Sequence, residues 1–120
     1  MDVKIEPRSN YLHVRMSGNF HSDAPFDCHL QSIGRVCAGG NYTRLLIDAR
    51  EVTGHMEIME AYHQGEDIAR VFAPSNVRIA IACAEGHMSM LTFFENVIVN
   101  RGAILRVFAD IDEATEWLMT

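Results

Sequence analysis

Residues 77–84 read Val-Arg-Ile-Ala-Ile-Ala-Cys-Ala, and this stretch decides the fold class. It is a short, almost continuous apolar run, which predicts a strand rather than a surface helix. A second apolar run, Leu45-Leu46-Ile47, has the character of a strand that is covered on both faces. Buried strands of this kind are typical of a mostly parallel sheet flanked by helices.

Further strands are predicted on both sides of these two runs. Residues 3–7 and 11–16 are separated by a polar turn and form a predicted hairpin, and residues 104–108 form the last strand. Helices are expected to separate the later strands, since parallel strands need a crossover between them.

Four helices are predicted. The first follows residues 22–25, Ser-Asp-Ala-Pro, a typical helix start, and the second covers residues 55–73. An apolar stripe over residues 90–98 indicates the third, and Asp110 caps the fourth. The expected core face of the second helix consists of Ile58, Ala61, Tyr62, Gly65, Ile68, Ala69 and Phe72.

The order of elements, ββαβαβαβα, predicts one α/β domain over residues 1–120. Its sheet is expected to be mixed, mostly parallel and five-stranded, with four covering helices. A chain of 120 residues can bury a core without a disulfide or metal.

Charge and cysteine content exclude several classes of function. The formal net charge is −6 and Lys4 is the only lysine, so nucleic acid and anionic membrane surfaces are not expected partners. Three cysteines (Cys28, Cys37 and Cys83) match no zinc spacing and suit reduced thiols in a cytoplasmic protein. Neither a signal peptide nor an integral membrane segment is predicted.

Several strings, in this order and spacing, resemble a known fold. They are residues 45–50 leading to Thr53-Gly54, residues 78–82, and residues 94–118. Together they resemble the STAS-like fold of anti-sigma-factor antagonists, and more closely the SpoIIAA-like group of small bacterial proteins. The resemblance implies a regulatory or protein-interaction domain. Proposals for the SpoIIAA-like relatives also include apolar-ligand or membrane-associated binding.

One departure from the antagonist pattern concerns regulation. Antagonists of this family are switched by phosphorylation of a serine that opens the second helix. Around that place the chain has His55-Met56-Glu57, and Thr53 lies several residues earlier. The phosphorylation switch is therefore not expected, and whether Thr53 is ever phosphorylated stays open.

Two loops are expected to meet beyond the carboxyl ends of the strands, where open α/β sheets bind ligands. One loop contributes Arg50, Thr53, Gly54 and His55, and the other contributes Glu85, His87 and Met88. The start of the second helix could hold an anion or a carboxylate of a partner. The alternative is that these are solvated side chains with turn and capping duties.

Two further hypotheses concern the second and third helices. Met56, Met59 and His63 lie outside the expected core stripe and suggest a contact surface, because methionine suits adaptable interfaces. The alternative is a wider core stripe or isolated exposed methionines. An apolar pocket between the two helices, suited to an acyl chain, is hypothesised at Tyr62, Met90, Phe93 and Phe94. Plain core packing is the alternative.

Catalysis has little support in the sequence. No Gly-x-Ser-x-Gly, Gly-x-Gly-x-x-Gly or P-loop string occurs. No metal site and no cofactor are predicted, and an enzyme built on His55, Glu85 and His87 is the weakest hypothesis. The leading interpretation is a non-enzymatic regulatory domain that binds a protein partner or forms a homodimer. The second is a domain that binds an apolar small molecule or lipid.

Overall fold

A computed structural model describes residues 1–21 and 26–120, without the side chains of residues 26–28. The elements are β1 (Asp2–Pro7), β2 (Leu12–Asn19), α1 (Phe26–Gly39), β3 (Arg44–Thr53), α2 (Ile58–Phe72), β4 (Arg78–Cys83), α3 (Met88–Val99), β5 (Ile104–Phe108) and α4 (Ile111–Met119). Short 3₁₀ turns precede β4 and α3. The predicted helix start at residues 22–25 lies outside the described residues.

The sheet has the spatial order β1-β2-β3-β4-β5. β1 pairs antiparallel with β2, and the other three pairings are parallel. The predicted mixed, mostly parallel five-stranded sheet with four helices is therefore confirmed.

The alternation of side chains along each strand divides the core into two layers. Leu12, Val14 and Met16 of β2 point to one face of the sheet, where they pack in the main core with α1, α2 and α3. On the other face, α4 packs against β3, β4 and β5. This smaller cluster consists of Leu46, Ala80, Ala82, Phe108, Ala114 and Leu118.

The α4 layer covers only half of its face. Arg78 stacks over the Trp117 ring at 4.2 Å and closes one border of the covered half. Over β1 and β2 the same face carries polar side chains instead, including exposed Lys4 and Arg15. We call this region the open half of the second face.

A glycine allows α2 and α3 to approach closely. A Cβ atom built on Gly65 would lie 2.9 Å from Cγ1 of Val97 and 3.2 Å from its Cβ. Both distances are shorter than ordinary van der Waals contact, so any larger residue would push the helices apart. Along their middle turns the two helices are therefore in direct contact.

The predicted start of the second helix is wrong by three residues. Glu57 is the N-cap, and its backbone N–H donates to Oε1 of Glu60 at 2.9 Å, so α2 begins at Ile58. This capping interaction leaves His55 in the preceding loop. Ile58 was expected in the core, but it occupies the first turn beyond the sheet edge and is 61% exposed.

Two buried thiols lie in the main core. Cys37 and Cys83 are free cysteines, and burial raises the pKa of each thiol to about 11. Both therefore stay protonated and act as small apolar residues at neutral pH. The side chain of Cys28 lies outside the described part of the chain. Among the described helices, none has the length and hydropathy needed to cross a bilayer.

Candidate functional site

The two predicted loops meet beyond the carboxyl ends of the parallel strands. Thr53 ends β3 and is exposed, and Gly54 follows with φ +89°, a conformation that favours glycine. The His55 and His87 rings, one from each loop, contact edge to face with centroids 5.9 Å apart. The structure thus brings His55 and His87 together, as the sequence predicts.

The end of β2 also reaches this loop cluster. Nε2 of His21 lies 2.6 Å from the backbone oxygen of His55, so this nitrogen donates the hydrogen bond. Nδ1 of His21 lies 3.6 Å from Oε2 of Glu60 in the first turn of α2. His21 therefore links β2, the β3–α2 loop and α2. The sequence does not point to His21, because nothing in the spacing of residue 21 shows that β2 lies beside β3.

Glu85 and Met88 do not join the two histidines. Glu85 is exposed in the 3₁₀ turn before α3. Met88 turns towards the sheet, where its Sδ accepts a hydrogen bond from Sγ of Cys83 at 3.4 Å. A triad of His55, Glu85 and His87 is consequently not assembled by any described contact.

Arg50 points away from the loop cluster, to the second face of the sheet. Its Nε and Nη2 atoms donate to Oδ1 and Oδ2 of Asp48, each at 2.9 Å. Asp48 is 7% exposed, and the Arg50 guanidinium holds the pKa of this carboxyl below its ordinary value. Arg50 therefore neutralises a buried carboxylate and is not available to the loops.

The three residues of the expected contact surface are separated. Met56 precedes α2 and packs partly buried against the main core. Met59, in the first turn, is 61% exposed, like its neighbour Ile58. His63 is exposed further along the helix, with Nδ1 at 3.5 Å from Oε1 of Glu66. The exposed apolar surface at this end of α2 consists of Ile58 and Met59, and we call it the Ile58–Met59 patch.

An apolar cavity of about 80 Å³ lies between the sheet and the helices α2 and α3, which contribute Gln64, Ile68, Leu91 and Phe94. Its lining is apolar except for Gln64, whose Oε1 is buried without a hydrogen-bond partner among the described residues. The lining residues are Met1, Met16, Phe20, Ile47, Ala49, Val52, Met56, Gln64, Ile68, Ile81, Leu91 and Phe94.

A surface groove adjoins this cavity. Phe20, Val52, Met56 and Leu91 line both spaces. The rest of the groove is formed by the two site loops and Met90, through Gly54, His55, Glu57, Gly86 and His87. The loop cluster with its two histidines is therefore the outer rim of an apolar space.

The expected pocket residues are not gathered around one space. Phe94 lines the cavity and Met90 lines the groove, but Tyr62 and Phe93 line neither. The Tyr62 hydroxyl accepts from Nη2 of Arg101 at 2.7 Å, and Phe93 is 38% exposed. The reason is the close contact at Gly65, which leaves no space between the middle turns of α2 and α3.

Gln64 and Phe20 are cavity residues that sequence patterns did not reveal. Gln64 is three residues after Ala61 and four before Ile68, both on the expected core face, so its apolar surroundings could have been suspected from its position. Phe20 follows β2, and only knowledge of the parallel pairing of β2 with β3 places it beside Val52.

The chemistry of this region favours binding over reaction. Within residues 1–21 and 26–120, no group of three or more His, Cys, Asp or Glu side chains is arranged to hold a metal ion. The Cys83 thiol below the loops is protonated at neutral pH because burial raises its pKa to about 11. What the loops enclose is apolar surface.

Comparison with known proteins agrees with this architecture. No family model and no curated protein matches the chain. A solved structure described as an anti-sigma factor antagonist from Mycobacterium paratuberculosis is similar, with a TM-score of 0.63 and 14% sequence identity. The alignment covers 99% of this chain and 94% of that protein. The chain therefore has the STAS-like fold of an anti-sigma factor antagonist, as its sequence predicts.

Proposed function

We propose that this protein is a non-enzymatic regulatory domain of the cytoplasm that binds a protein partner through the Ile58–Met59 patch. The observation that carries the proposal is the patch itself, because two adjacent apolar side chains that are each 61% exposed contribute nothing to the core. Neighbouring exposed apolar residues at one site favour a contact surface over scattered surface residues.

Two further observations support this location. The patch lies in the first turn of α2, next to the loop cluster at the carboxyl ends of the strands, where α/β domains of this kind present their sites. Methionine adapts its shape to a partner at little energetic cost, which suits Met59 to an interface. The likeness to an anti-sigma factor antagonist adds that this fold occurs in a protein that acts on another protein.

The absence of a serine at the start of α2 bears on how partner binding is regulated. Residues 50–57 contain no serine, and the helix start is capped by Glu57. We infer that binding at the Ile58–Met59 patch is not controlled by phosphorylation of the helix start.

An affinity-capture experiment tests the proposal. The tagged wild-type protein and the Ile58→Glu, Met59→Glu double variant are compared for the proteins that they retain from cells. We expect a partner that the wild type retains and whose retained amount falls at least tenfold with the double variant. The reason is that charges would replace two apolar contacts that are buried in the complex.

Val99→Glu is the matched control. Val99 is 47% exposed at the far end of α3, so the substitution adds one negative charge, against two in the double variant, at a similar exposure but away from the patch. Retention by the control must equal that of the wild type. A set of bound proteins that is identical for all three forms would contradict the proposal.

A second candidate function is the binding of a small apolar molecule in the cavity. The observation that favours it is the lining of the cavity, in which Gln64 is the single polar residue among apolar ones. A small apolar ligand would fill the space and replace exposed apolar wall with contacts. A volume of about 80 Å³ suits a small group, so an acyl chain would require the groove to open.

Thermal shifts with phenol and with a medium-chain alcohol test this second candidate. We expect a rise in Tm for the wild type that is lost in Ala49→Leu, because Ala49 lines the cavity and the larger side chain would occupy it. A wild type with no shift for either ligand would exclude the candidate.

A further inference from the structure

The open half of the second face carries two cations without partners. Lys4 and Arg15 are direct neighbours in the antiparallel pairing of β1 and β2. Neither has an ion-pair partner within 4 Å among the residues that the structure describes. Like charges directly opposite each other on a sheet destabilise it, so an anionic group placed against this pair would be favoured.

Two of the carboxylates near this pair are engaged by other arginines. Glu6 is engaged by Arg8, with Oε2 at 3.2 Å from Nη2. Asp48, which pairs in register with Arg15, accepts hydrogen bonds from Nε and Nη2 of Arg50. Asp2 lies on the same face of β1 as Lys4, so Lys4 and Arg15 leave a surplus of one positive charge there in a chain of net charge −6.

His13 lies buried beneath the same face. It is 9% exposed, and Nη2 of Arg8 donates to its Nδ1 at 3.2 Å. Because arginine only donates, the proton of the neutral ring sits on Nε2, and this buried atom has no partner among the described residues. Because Nε2 is buried, it is not in contact with a group that docks on the surface of this face.

The complementary charge lies on α4 of the same molecule, on the same side of the sheet. Asp112, Glu113 and Glu116 form an exposed stripe along this helix, and α4 has no basic residue in its last turn. None of the three carboxylates has an ion pair within the described part of the chain. One molecule cannot join the two surfaces, because its own α4 is anchored over β3 to β5 by Ala114 and Leu118.

The dimensions of the two surfaces also match. The open half is two strands wide, about 10 Å, which is close to the diameter of a helix with its side chains. α4 has nine residues and so is about 14 Å long, shorter than the roughly 20 Å of β1.

We propose that two copies of this chain pair by their second faces, so that α4 of each copy lies in the open half of the other. The arrangement is a twofold dimer in which Lys4 and Arg15 of one copy meet Glu113 and Glu116 of its partner, twice. Each copy then completes the helical layer that the other lacks. The inference is independent of the proposed function, since the Ile58–Met59 patch stays free in the dimer.

Charge exchange tests the dimer by sedimentation velocity at low and high salt. The wild type should dimerise in a concentration-dependent way, and raising the salt from about 50 to about 500 mM should weaken association at least tenfold, because the contacts are exposed ion pairs that salt screens. Lys4→Glu, Arg15→Glu should be monomeric, and so should Glu113→Lys, Glu116→Lys. An equimolar mixture of the two variants should restore dimers, since each then offers the charges that the other needs.

The controls distinguish pairing of the second faces from misfolding and from association through the Ile58–Met59 patch. All four residues are exposed, and unchanged circular dichroism and Tm show that the variants are folded. The Ile58→Glu, Met59→Glu variant must dimerise like the wild type. A wild type that stays monomeric at high concentration and low salt, or a mixture that does not associate, would overturn the proposal. A monomer that binds a polyglutamate peptide through Lys4 and Arg15 would also overturn it and assign the face to a different acidic partner.

Discussion

Gly65→Ala isolates the contact that holds α2 against α3. The added methyl group would lie 2.9 Å from Cγ1 of Val97 and 3.2 Å from its Cβ, inside a packed interface. Overpacking of this kind costs about 1–3 kcal/mol. Alanine is favoured over glycine within a helix by about 1 kcal/mol, which offsets part of the cost. We therefore expect a net loss of about 1 kcal/mol in the free energy of unfolding.

Urea denaturation followed by circular dichroism measures the change, and Gly39→Ala is the matched control. Gly39 also lies in a helix, but an added Cβ there meets nothing within 4 Å. The control should be stabilised by up to about 1 kcal/mol. On a Val97→Ala background the Gly65→Ala change should cost less than in the wild type, because Cγ1 of Val97 is gone and only the contact with Cβ at 3.2 Å remains. If Gly65→Ala stabilised the otherwise wild-type protein as much as Gly39→Ala does, the helices α2 and α3 would not be in close contact.

Further predictions concern the second face. Arg50→Gln should lower the free energy of unfolding by about 2 kcal/mol, because it leaves the buried Asp48 carboxylate without its partner. The loss is smaller than for a fully buried ion pair, since Arg50 is partly exposed. Adding Asp48→Asn should recover most of the loss. No loss in the single variant would contradict the pairing. The pKa of Asp48 is lowered in the folded state, so the ionised carboxylate stabilises the wild type relative to Asp48→Asn. This difference in the free energy of unfolding should reach its maximum above about pH 5 and decrease as the pH falls through about 4. A difference independent of pH would refute this. Asp110→Ala should cost about 1 kcal/mol, since Asp110 accepts from the N–H groups of Asp112 and Glu113, and an unchanged midpoint in urea would exclude a capping role.

The sequence predicts the architecture well because the decisive signals are local. The apolar run at residues 77–84 is a buried strand, and Asp110 caps α4 as its spacing indicates. The predicted start of α2 was wrong because a capping interaction between side chains fixes the first residue of this helix. Glu57 and Glu60 form their capping interaction three residues after the predicted beginning of α2, and periodicity alone does not register such an interaction.

The candidate site was only partly predictable, because it depends on contacts between distant segments. His55 and His87 come together since both follow adjacent parallel strands, which the topology rule anticipates. His21 and Phe20 join them through the pairing of β2 with β3, and no sequence pattern encodes that pairing. The pocket was placed between the two helices, whereas the cavity lies between the helices and the sheet, because the close contact at Gly65 is visible only in three dimensions.

Site-specific photo-cross-linking in cells tests the central claim most directly. A photoreactive amino acid is placed at residue 59 in one form of the protein and at residue 99 in another, both at exposed positions. We predict a discrete adduct with a different protein at residue 59 and none of that mass at residue 99. The same adducts from both positions, or none from residue 59, would contradict partner binding at the start of α2.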